Sequence, residues 1–206
     1  MMLAGFFAGA LVLALFIGDR LYFRTLSAEA SRYGCRVGRG EERLDAVSVE
    51  QIRSRFDQLG LLTMRHGVAR WFPDPDRLLL RPRYPTWWAF LWLWPMKGTI
   101  DVRSEQGAVV LSLTKRIPWC SAIVTGLWFL VVGVGTLATV ISYVVEGGLG
   151  SSVGVLMGGG ILTLGLLFLF AGVVTVIMAY RMENDRLARL QREFVETCGG
   201  TPQTTR

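Results

Sequence analysis

Three apolar runs, each free of charged residues, constrain the fold of this chain more than any other feature. They cover residues 1–18, 121–145 and 153–180. A helix needs about 20 apolar residues to cross the roughly 30 Å hydrocarbon core of a bilayer. The second and third runs are long enough, and residues 21–23 extend the first run past a charged pair. The sequence therefore predicts an integral membrane protein with three transmembrane helices.

The first run has a second interpretation, as a cleaved signal peptide. No basic residue precedes its apolar stretch, and the sequence around Gly18 and Asp19 matches a small-x-small cleavage site poorly. We therefore expect a retained helix.

The remaining chain is long enough for one small soluble domain and a tail. The predicted segments are a first transmembrane helix at 1–23, a cytoplasmic α+β domain at 24–118, transmembrane helices at 119–146 and 153–180, an extracytoplasmic loop at 147–152, and a cytoplasmic tail helix at 181–206. We expect the tail to return to the domain and add a final helix to it.

The basic residues are concentrated between the first and second runs. Residues 19–118 carry 17 Lys and Arg against 11 Asp and Glu, whereas the loop at 147–152 has no base. Basic loops stay on the cytoplasmic side of a membrane. The charges therefore predict a multi-pass protein of the bacterial cytoplasmic membrane, with its N-terminus outside and its domain and C-terminus in the cytoplasm. The basic surface would meet the lipid bilayer, and we expect no nucleic-acid partner.

Four β-type segments in the domain predict an antiparallel meander. They are residues 67–72, 77–83, 98–103 and 108–116. A Pro-Asp-Pro-Asp turn at 73–76 joins the first pair, and a second turn at 104–107 joins the other. Apolar and polar residues alternate along the second pair, which is typical of a sheet with one buried face.

Two helices are expected to cover this sheet. Ser48 begins the first, at 48–59, because Ser48 and Gln51 form a capping box and apolar residues follow at helical spacing. The second is the tail helix, whose apolar stripe is Leu187, Leu190, Phe194 and Val195. The Gly- and Arg-rich stretch at 32–43 is predicted to be a loop. The fold class is thus a membrane-anchored α+β protein whose meander of about four strands is covered by one or two helices.

The stretch 84–96 contains four tryptophans within eight residues. They are Trp87, Trp88, Trp92 and Trp94, and the flanking bases are Arg81, Arg83 and Lys97. Trp favours the lipid headgroup region, where its ring is apolar and its N–H still finds a partner. We therefore predict a membrane anchor or an interface with another subunit, with the three bases reaching lipid phosphates. The alternative is an aromatic strand or loop in the core of the domain.

Small residues recur along the apolar runs at spacings that suit close helix packing. The candidate packing glycines are Gly5, Gly9, Gly126, Gly133, Gly154, Gly158, Gly165 and Gly172. In the third run a small residue returns every seven positions, which places these residues on one seam of a left-handed helix pair. We expect this seam to pack the second and third helices together, and the surplus glycines favour contact with helices of other subunits.

No group of residues predicts a catalytic, cofactor or metal site. The three runs contain none of the ionisable residues that mark ion pathways and proton relays, which argues against a pump, an ion-coupled transporter or a channel. His66 is the only histidine, and no nucleophile, metalloprotease or phosphate-loop motif accompanies it. The three cysteines form no CxxC pair and suit a reducing cytoplasm. We therefore expect no enzyme activity and no cofactor.

Two functions from different classes remain. The first is a non-catalytic accessory or scaffolding subunit of a larger bacterial membrane complex, such as a bioenergetic one, with other membrane proteins as partners. The second is a free-standing membrane sensor, or a lipid- or small-ligand-binding protein with a cytoplasmic β-domain. The hairpin KGTIDV…GAVVLSL at 97–113 and the transmembrane pair after it resemble many small bacterial membrane proteins, a resemblance that implies no role for any residue.

Overall fold

The computed structural model describes residues 2–45, 47–74, 76–83, 94–105 and 108–199. The chain divides into two compact units. The first unit consists of Met1–Ser121 together with Met182–Arg206, and the second of Ala122–Arg181. The first unit contains a β-sheet and the second a helical hairpin.

Six antiparallel strands form one sheet in the first unit. They are β1 (Cys35–Leu44), β2 (Leu61–Thr63), β3 (Gly67–Pro73), β4 (Asp76–Pro82), β5 (Lys97–Glu105) and β6 (Ala108–Ile117). Their order across the sheet is β1-β6-β5-β4-β3-β2. The predicted antiparallel sheet is confirmed, and its four predicted strands correspond to β3 through β6. Two further strands make the sheet larger than the meander of about four strands that the sequence predicted.

Strand β1 corrects the prediction of a loop at 32–43. Nine of its ten residues pair with β6, from Cys35 opposite Ile117 to Leu44 opposite Val109, with a bulge between Arg36 and Gly38. Its glycines and charged residues make the strand hard to predict from sequence, because β-branched and aromatic residues are the usual signal of a strand. Pairing with β6 outweighs this composition. A charged sequence also suits the edge of a sheet, where charges discourage pairing with another molecule.

Five helices accompany the sheet in the described part of the chain. They are α1 (Met2–Arg24), α2 (Ala28–Arg32), α3 (Val49–Arg53), α4 (Trp119–Val145) and α5 (Ser152–Thr197). The predicted capping box of α3 is present, because Ser48 Oγ accepts from the Gln51 N–H at 3.2 Å and the Ser48 N–H donates to Gln51 Oε1 at 3.0 Å. The helix is shorter than predicted and ends at Arg53.

One face of the sheet is apolar and forms the core. This apolar face consists of Leu44, Ala69, Trp71, Leu78, Leu80, Ile100, Val102, Val109, Leu111 and Leu113, all of which are buried. The C-terminal part of α5 covers it with the predicted stripe Leu187, Leu190, Phe194 and Val195, which is fully buried. Burying each such side chain contributes on the order of 1.5–3 kcal/mol. The prediction that the tail helix covers the sheet is therefore confirmed.

Two local features fix the position of this covering helix. A Cβ on Gly98 would lie 3.2 Å from Leu187 Cδ1, so the glycine lets α5 approach the sheet closely. Glu193 of α5 accepts hydrogen bonds from the N–H groups of Arg65 at 2.6 Å and His66 at 3.0 Å, and its Oε2 lies 2.7 Å from His66 Nδ1. The single histidine is thus a partly exposed residue that ties the start of β3 to α5.

The second unit is a helical hairpin packed through glycines of α5. A Cβ on Gly158 would lie 3.1 Å from Tyr143 Cε1, and a Cβ on Gly165 would overlap the side chain of Thr136. A Cβ on Gly172 would likewise overlap Trp128. These contacts run in opposite directions along α4 and α5, so the two helices are antiparallel.

Two helices in the described part of the chain, α4 and α5, are long and apolar enough to cross a membrane. Their most apolar stretches are 0% and 6% buried within the protein. Lipid is the natural cover for such surfaces. The coarse prediction of a membrane-associated chain is thus supported, whereas a third span is not shown.

Candidate functional site

The face of the sheet opposite the apolar face carries a concentration of bases. The polar residues of this arginine face are Arg36, Arg39, Glu41, Arg43, Arg70, Arg77, Arg81, Lys97, Thr99, Asp101, Arg103, Glu105, Ser112, Thr114 and Arg116. Cross-strand register places Arg116 opposite both Arg36 and Lys97. Because neighbouring strands lie about 4.8 Å apart, bases from β1, β6 and β5 form one row.

Main chain from the end of α1 through α2 crosses the arginine face. This carbonyl segment, residues 23–34, accepts hydrogen bonds from side chains of four strands. The pairs are Arg70 Nη1 with Leu26 O, Arg81 Nη1 with Arg24 O at 2.6 Å, Lys97 Nζ with Phe23 O at 3.4 Å and with Ala30 O, Thr99 Oγ1 with Ser31 O at 2.6 Å, and Arg116 Nη1 with Gly34 O at 3.1 Å. The last carbonyls of a helix lack partners within that helix. The arginine face supplies those partners and anchors α1 to the sheet.

Lys97 is the most deeply buried base of this network. It is 1% exposed, and its Nζ lies 4.1 Å from the centroid of the Phe23 ring. Burial lowers the pKa of Lys97 to about 7, with a further lowering by Arg116 that Asp19 opposes. The sequence suggested that Lys97 reaches lipid phosphates. In the structure its ammonium group instead donates to carbonyls inside the domain.

Asp19 ties three parts of the first unit together. Its Oδ1 accepts a hydrogen bond from the Tyr33 hydroxyl, and its Oδ2 accepts from the Cys120 N–H at 3.1 Å. The Cys120 N–H belongs to the first turn of α4, where N–H groups lack helical partners and a negative charge is favourable. The hydrogen bond to Asp19 raises the pKa of Tyr33 to about 12. Asp19 therefore joins α1 and the carbonyl segment to the start of α4.

The other end of the arginine face holds an ion pair between a buried arginine and a partly exposed aspartate. Arg77 Nε donates to Asp101 Oδ1 at 2.8 Å, and Arg77 is 7% exposed. Nearby, Arg39 Nη2 donates to Ser112 Oγ at 3.3 Å. Burial lowers the pKa of Arg116, and Arg36, Arg77 and Arg32 lower it further, whereas Asp101 opposes them. The guanidinium groups are thus close enough to repel one another.

The predicted tryptophan interface lies mostly outside the described residues. Trp87, Trp88 and Trp92 all fall there, whereas Trp94 is half-buried and precedes a buried Met96. Of the flanking bases, Arg83 is exposed and its N–H donates to His66 O at 2.8 Å. Arg81 and Lys97 donate hydrogen bonds to the carbonyl segment.

The predicted packing glycines separate into two groups. Gly158, Gly165 and Gly172 contact α4, and Gly154 O accepts a hydrogen bond from the Tyr143 hydroxyl at 2.9 Å. By contrast, a Cβ added to Gly9, Gly126 or Gly133 would meet no atom within 4 Å. The surroundings of Gly5 lie outside the described part of the chain. Only the first group takes part in the α4–α5 contact.

Two open clefts lie beside α3. One, of ≈ 340 Å³, is lined by Phe56, Leu59, Trp71 and their neighbours, and the other, of ≈ 390 Å³, is lined by Gln51, Arg55 and Cys198 among others. Within the described residues, no group of three or more His, Cys, Asp or Glu side chains is arranged to hold a metal ion. The arginine face therefore holds more charged and hydrogen-bonding side chains than the lining of either cleft.

Comparison with known proteins adds no relative. No protein-family model, curated protein or solved structure matches this chain.

Sequence reasoning missed the arginine face as a unit. The alternation Arg77, Leu79, Arg81 in β4 and Lys97, Thr99, Asp101 in β5 was a usable signal, because alternate residues of a strand share a face. The row of bases could not be recognised from the sequence, because the stretch 32–43, which contains Arg36, is predicted to be a loop. Which strands are neighbours also depends on sheet order, which local sequence does not specify.

Replacing Lys97 by Met is expected to remove a pH dependence of stability. The pKa of Lys97 is about 7 in the folded protein and 10.5 in the unfolded chain. Between these values the unfolded chain holds a proton that the folded chain has lost, so the free energy of unfolding of the native protein rises with pH. Below about 7 both states are protonated and this contribution is constant.

Thermal unfolding in detergent, measured from about pH 6 to about pH 9.5, tests this expectation. The melting temperature of Lys97→Met should rise less steeply with pH than that of the native protein. Exposed Arg103 provides the matched control, because Arg103→Met removes a charge from the same strand without changing a group that titrates in this range. The same dependence of melting temperature on pH in all three proteins would contradict the buried position of Lys97.

Proposed function

We propose that this chain is a non-catalytic accessory or scaffolding subunit of a larger complex in the bacterial cytoplasmic membrane. The observation that carries the proposal is the pair Gly126 and Gly133 on α4, around which space is open. Removing side chains lets helix backbones approach closely, which drives association where lipid offers no hydrophobic drive. The proposal has two further parts, the placement of the chain in the membrane and the partner surface.

The proposed placement uses three spans. In addition to α4 and α5, α1 is 23 residues long and exposes apolar side chains along its length, including Phe6, Phe7, Leu11 and Val12. Large exposed apolar surfaces mark contact with a membrane or a partner. The positively charged segment after α1 then lies in the cytoplasm, as does the end of α5, and the loop at 147–152 lies outside.

The proposed partner surface is the side of α4 that α5 leaves uncovered. Trp128, Thr136 and Tyr143 face the glycines of α5. A helix turns about 100° per residue, so Gly126 and Gly133 lie on a different side of α4, roughly a quarter turn or more away. Their seven-residue spacing matches the repeat of a left-handed helix crossing. A helix of another subunit fits this side.

The alternative function is a free-standing membrane sensor or lipid-binding protein. The arginine face supports it, because Arg residues bind phosphate and carboxylate groups through paired N–H donors. The two functions predict different results of detergent extraction. An accessory subunit should be extracted with a stoichiometric protein partner, whereas a sensor or lipid-binding protein should be extracted with lipid alone.

The orientation is tested by cysteine labelling in intact cells. In a chain whose native cysteines are replaced, Ser151→Cys should react with a membrane-impermeant thiol reagent and Ser104→Cys should not. Both should react after the membrane is opened, which controls for burial of the thiol. Labelling of Ser104→Cys alone in intact cells would reverse the proposed topology.

The subunit function is tested by gentle detergent extraction and native mass measurement. The native protein should migrate in an assembly larger than its 22.9 kDa monomer and should contain other membrane proteins. The double substitution Gly126→Leu with Gly133→Leu should release the chain from this assembly and leave its own melting temperature unchanged, because added side chains meet open space within the chain.

A contrasting variant shows that the two glycine groups act differently. Gly165→Leu should destabilise the chain itself by about 1–3 kcal/mol through overpacking, because its side chain overlaps Thr136. Migration of the native protein as a monomer, or as an oligomer of this chain alone, would exclude the subunit function and favour the alternative.

A further inference from the structure

At the β1–β6 edge of the arginine face, Arg36 and Arg116 form no ion pair with any described acid, and Glu41 of β1 pairs with Arg39 instead. Arg36 and Arg116 lie directly opposite each other in the β1–β6 pair. Like charges at directly opposed positions destabilise a sheet. None of the ion pairs between described residues involves Arg32, Arg36 or Arg116. The nearby acid, Asp101, is already hydrogen-bonded to Arg77.

Arg116 is held in place with donor capacity to spare. Its Nη1 donates to Gly34 O at 3.1 Å, which fixes the guanidinium group beside the end of the carbonyl segment. Its Nε is buried and has no hydrogen-bond partner among the residues that the structure describes. A guanidinium group has five N–H donors. Burial lowers the pKa of Arg116 and repulsion from Arg36, Arg77 and Arg32 lowers it further, and a bound anion would relieve this repulsion.

The position of Arg116 along the chain indicates where that anion comes from. Only Ile117 and Pro118 separate Arg116 from Trp119, the first residue of α4. At about 3.3 Å per residue, Arg116 lies within roughly 10 Å of the start of this helix. Trp119 is half-exposed, and Trp is typical of the headgroup level of a membrane-spanning helix. The phosphate layer of the bilayer is therefore within reach of the long side chains.

We propose that Arg32, Arg36 and Arg116 form a binding site for the phosphate group of an anionic phospholipid headgroup. Arg36 and Arg32 are exposed and free to close on the phosphate, whereas Arg116 is fixed beside Gly34. Arg recognises phosphate through two parallel N–H donors, which gives geometric preference as well as charge. The site rests on the membrane placement proposed above and does not require a partner subunit.

The test is a titration of the full-length protein in zwitterionic detergent with short-chain phosphatidylglycerol, followed by thermal unfolding. Phosphatidylglycerol should raise the melting temperature, and short-chain phosphatidylcholine should not. Arg36→Gln with Arg116→Gln should weaken the response roughly tenfold or more, because charge-assisted hydrogen bonds are lost. The matched control, Arg189→Gln with Arg192→Gln, removes the same charge from exposed positions on α5 and should respond like the native protein.

The single variant Arg36→Gln decides the question if the double variant fails to fold. Arg36 is exposed on an edge strand, so its side chain is not needed for the core. Without lipid it should fold with a melting temperature at least as high as that of the native protein, because the repulsion from Arg116 is removed, and it should show a weaker response to phosphatidylglycerol. An unchanged response in Arg36→Gln would overturn the proposal.

Other outcomes separate this site from alternatives. An equal loss in the α5 control variant would show only general attraction between a basic protein and anionic lipid. An Arg36-dependent response to inorganic phosphate but not to phosphatidylglycerol would show a site for soluble phosphate. Either result overturns the lipid site. Native mass measurements decide the subunit function separately, so a monomeric protein that binds phosphatidylglycerol through Arg36 and Arg116 would exclude that function and retain this site.

Discussion

Hydrogen bonds from the arginine face to the carbonyl segment hold the first unit together. The buried bases need hydrogen-bond acceptors, and the carbonyls need donors. Buried cations such as Lys97 are costly unless they meet acceptors, and carbonyls at the end of α1 have no helical partners. Bonding the two satisfies both groups and places Asp19 where it accepts the Cys120 N–H at the start of α4. The sheet, α1 and the first turn of α4 at Cys120 are thereby linked through polar contacts within the first unit.

The two faces of the sheet consequently have different roles. The apolar face is sealed by the C-terminal part of α5 with Leu187, Leu190 and Phe194, and it provides the stability of the domain. The arginine face is only partly covered, because the carbonyl segment bonds Lys97 and Thr99 and leaves the row toward Arg36 open. A partly covered row of bases is available for binding in a way that a closed core is not.

The sequence predicted those elements whose signals are local. The four strands β3 through β6, the capping box at Ser48 and the buried stripe of the tail helix follow from alternation, caps and helical spacing, and the structure contains them. Strand β1 was missed because its stability comes from pairing with β6, a partner more than sixty positions away. The role of Lys97 was missed for a related reason. A lysine beside tryptophans suggests an interface, and only the fold shows the carbonyls that surround it.

Hydrogen–deuterium exchange of the full-length protein in lipid discs tests the contact between the arginine face and the carbonyl segment most directly. The structure predicts slow exchange for the α2 amides in the native protein, including Ser31 and Tyr33, whose N–H groups bond Ser27 O and Ala30 O. A variant combining Lys97→Met with Thr99→Val should accelerate exchange in α2 and leave the amides around Leu190 of α5 unchanged. Equally slow exchange in α2 of both proteins, or fast exchange there in the native protein, would contradict the contact.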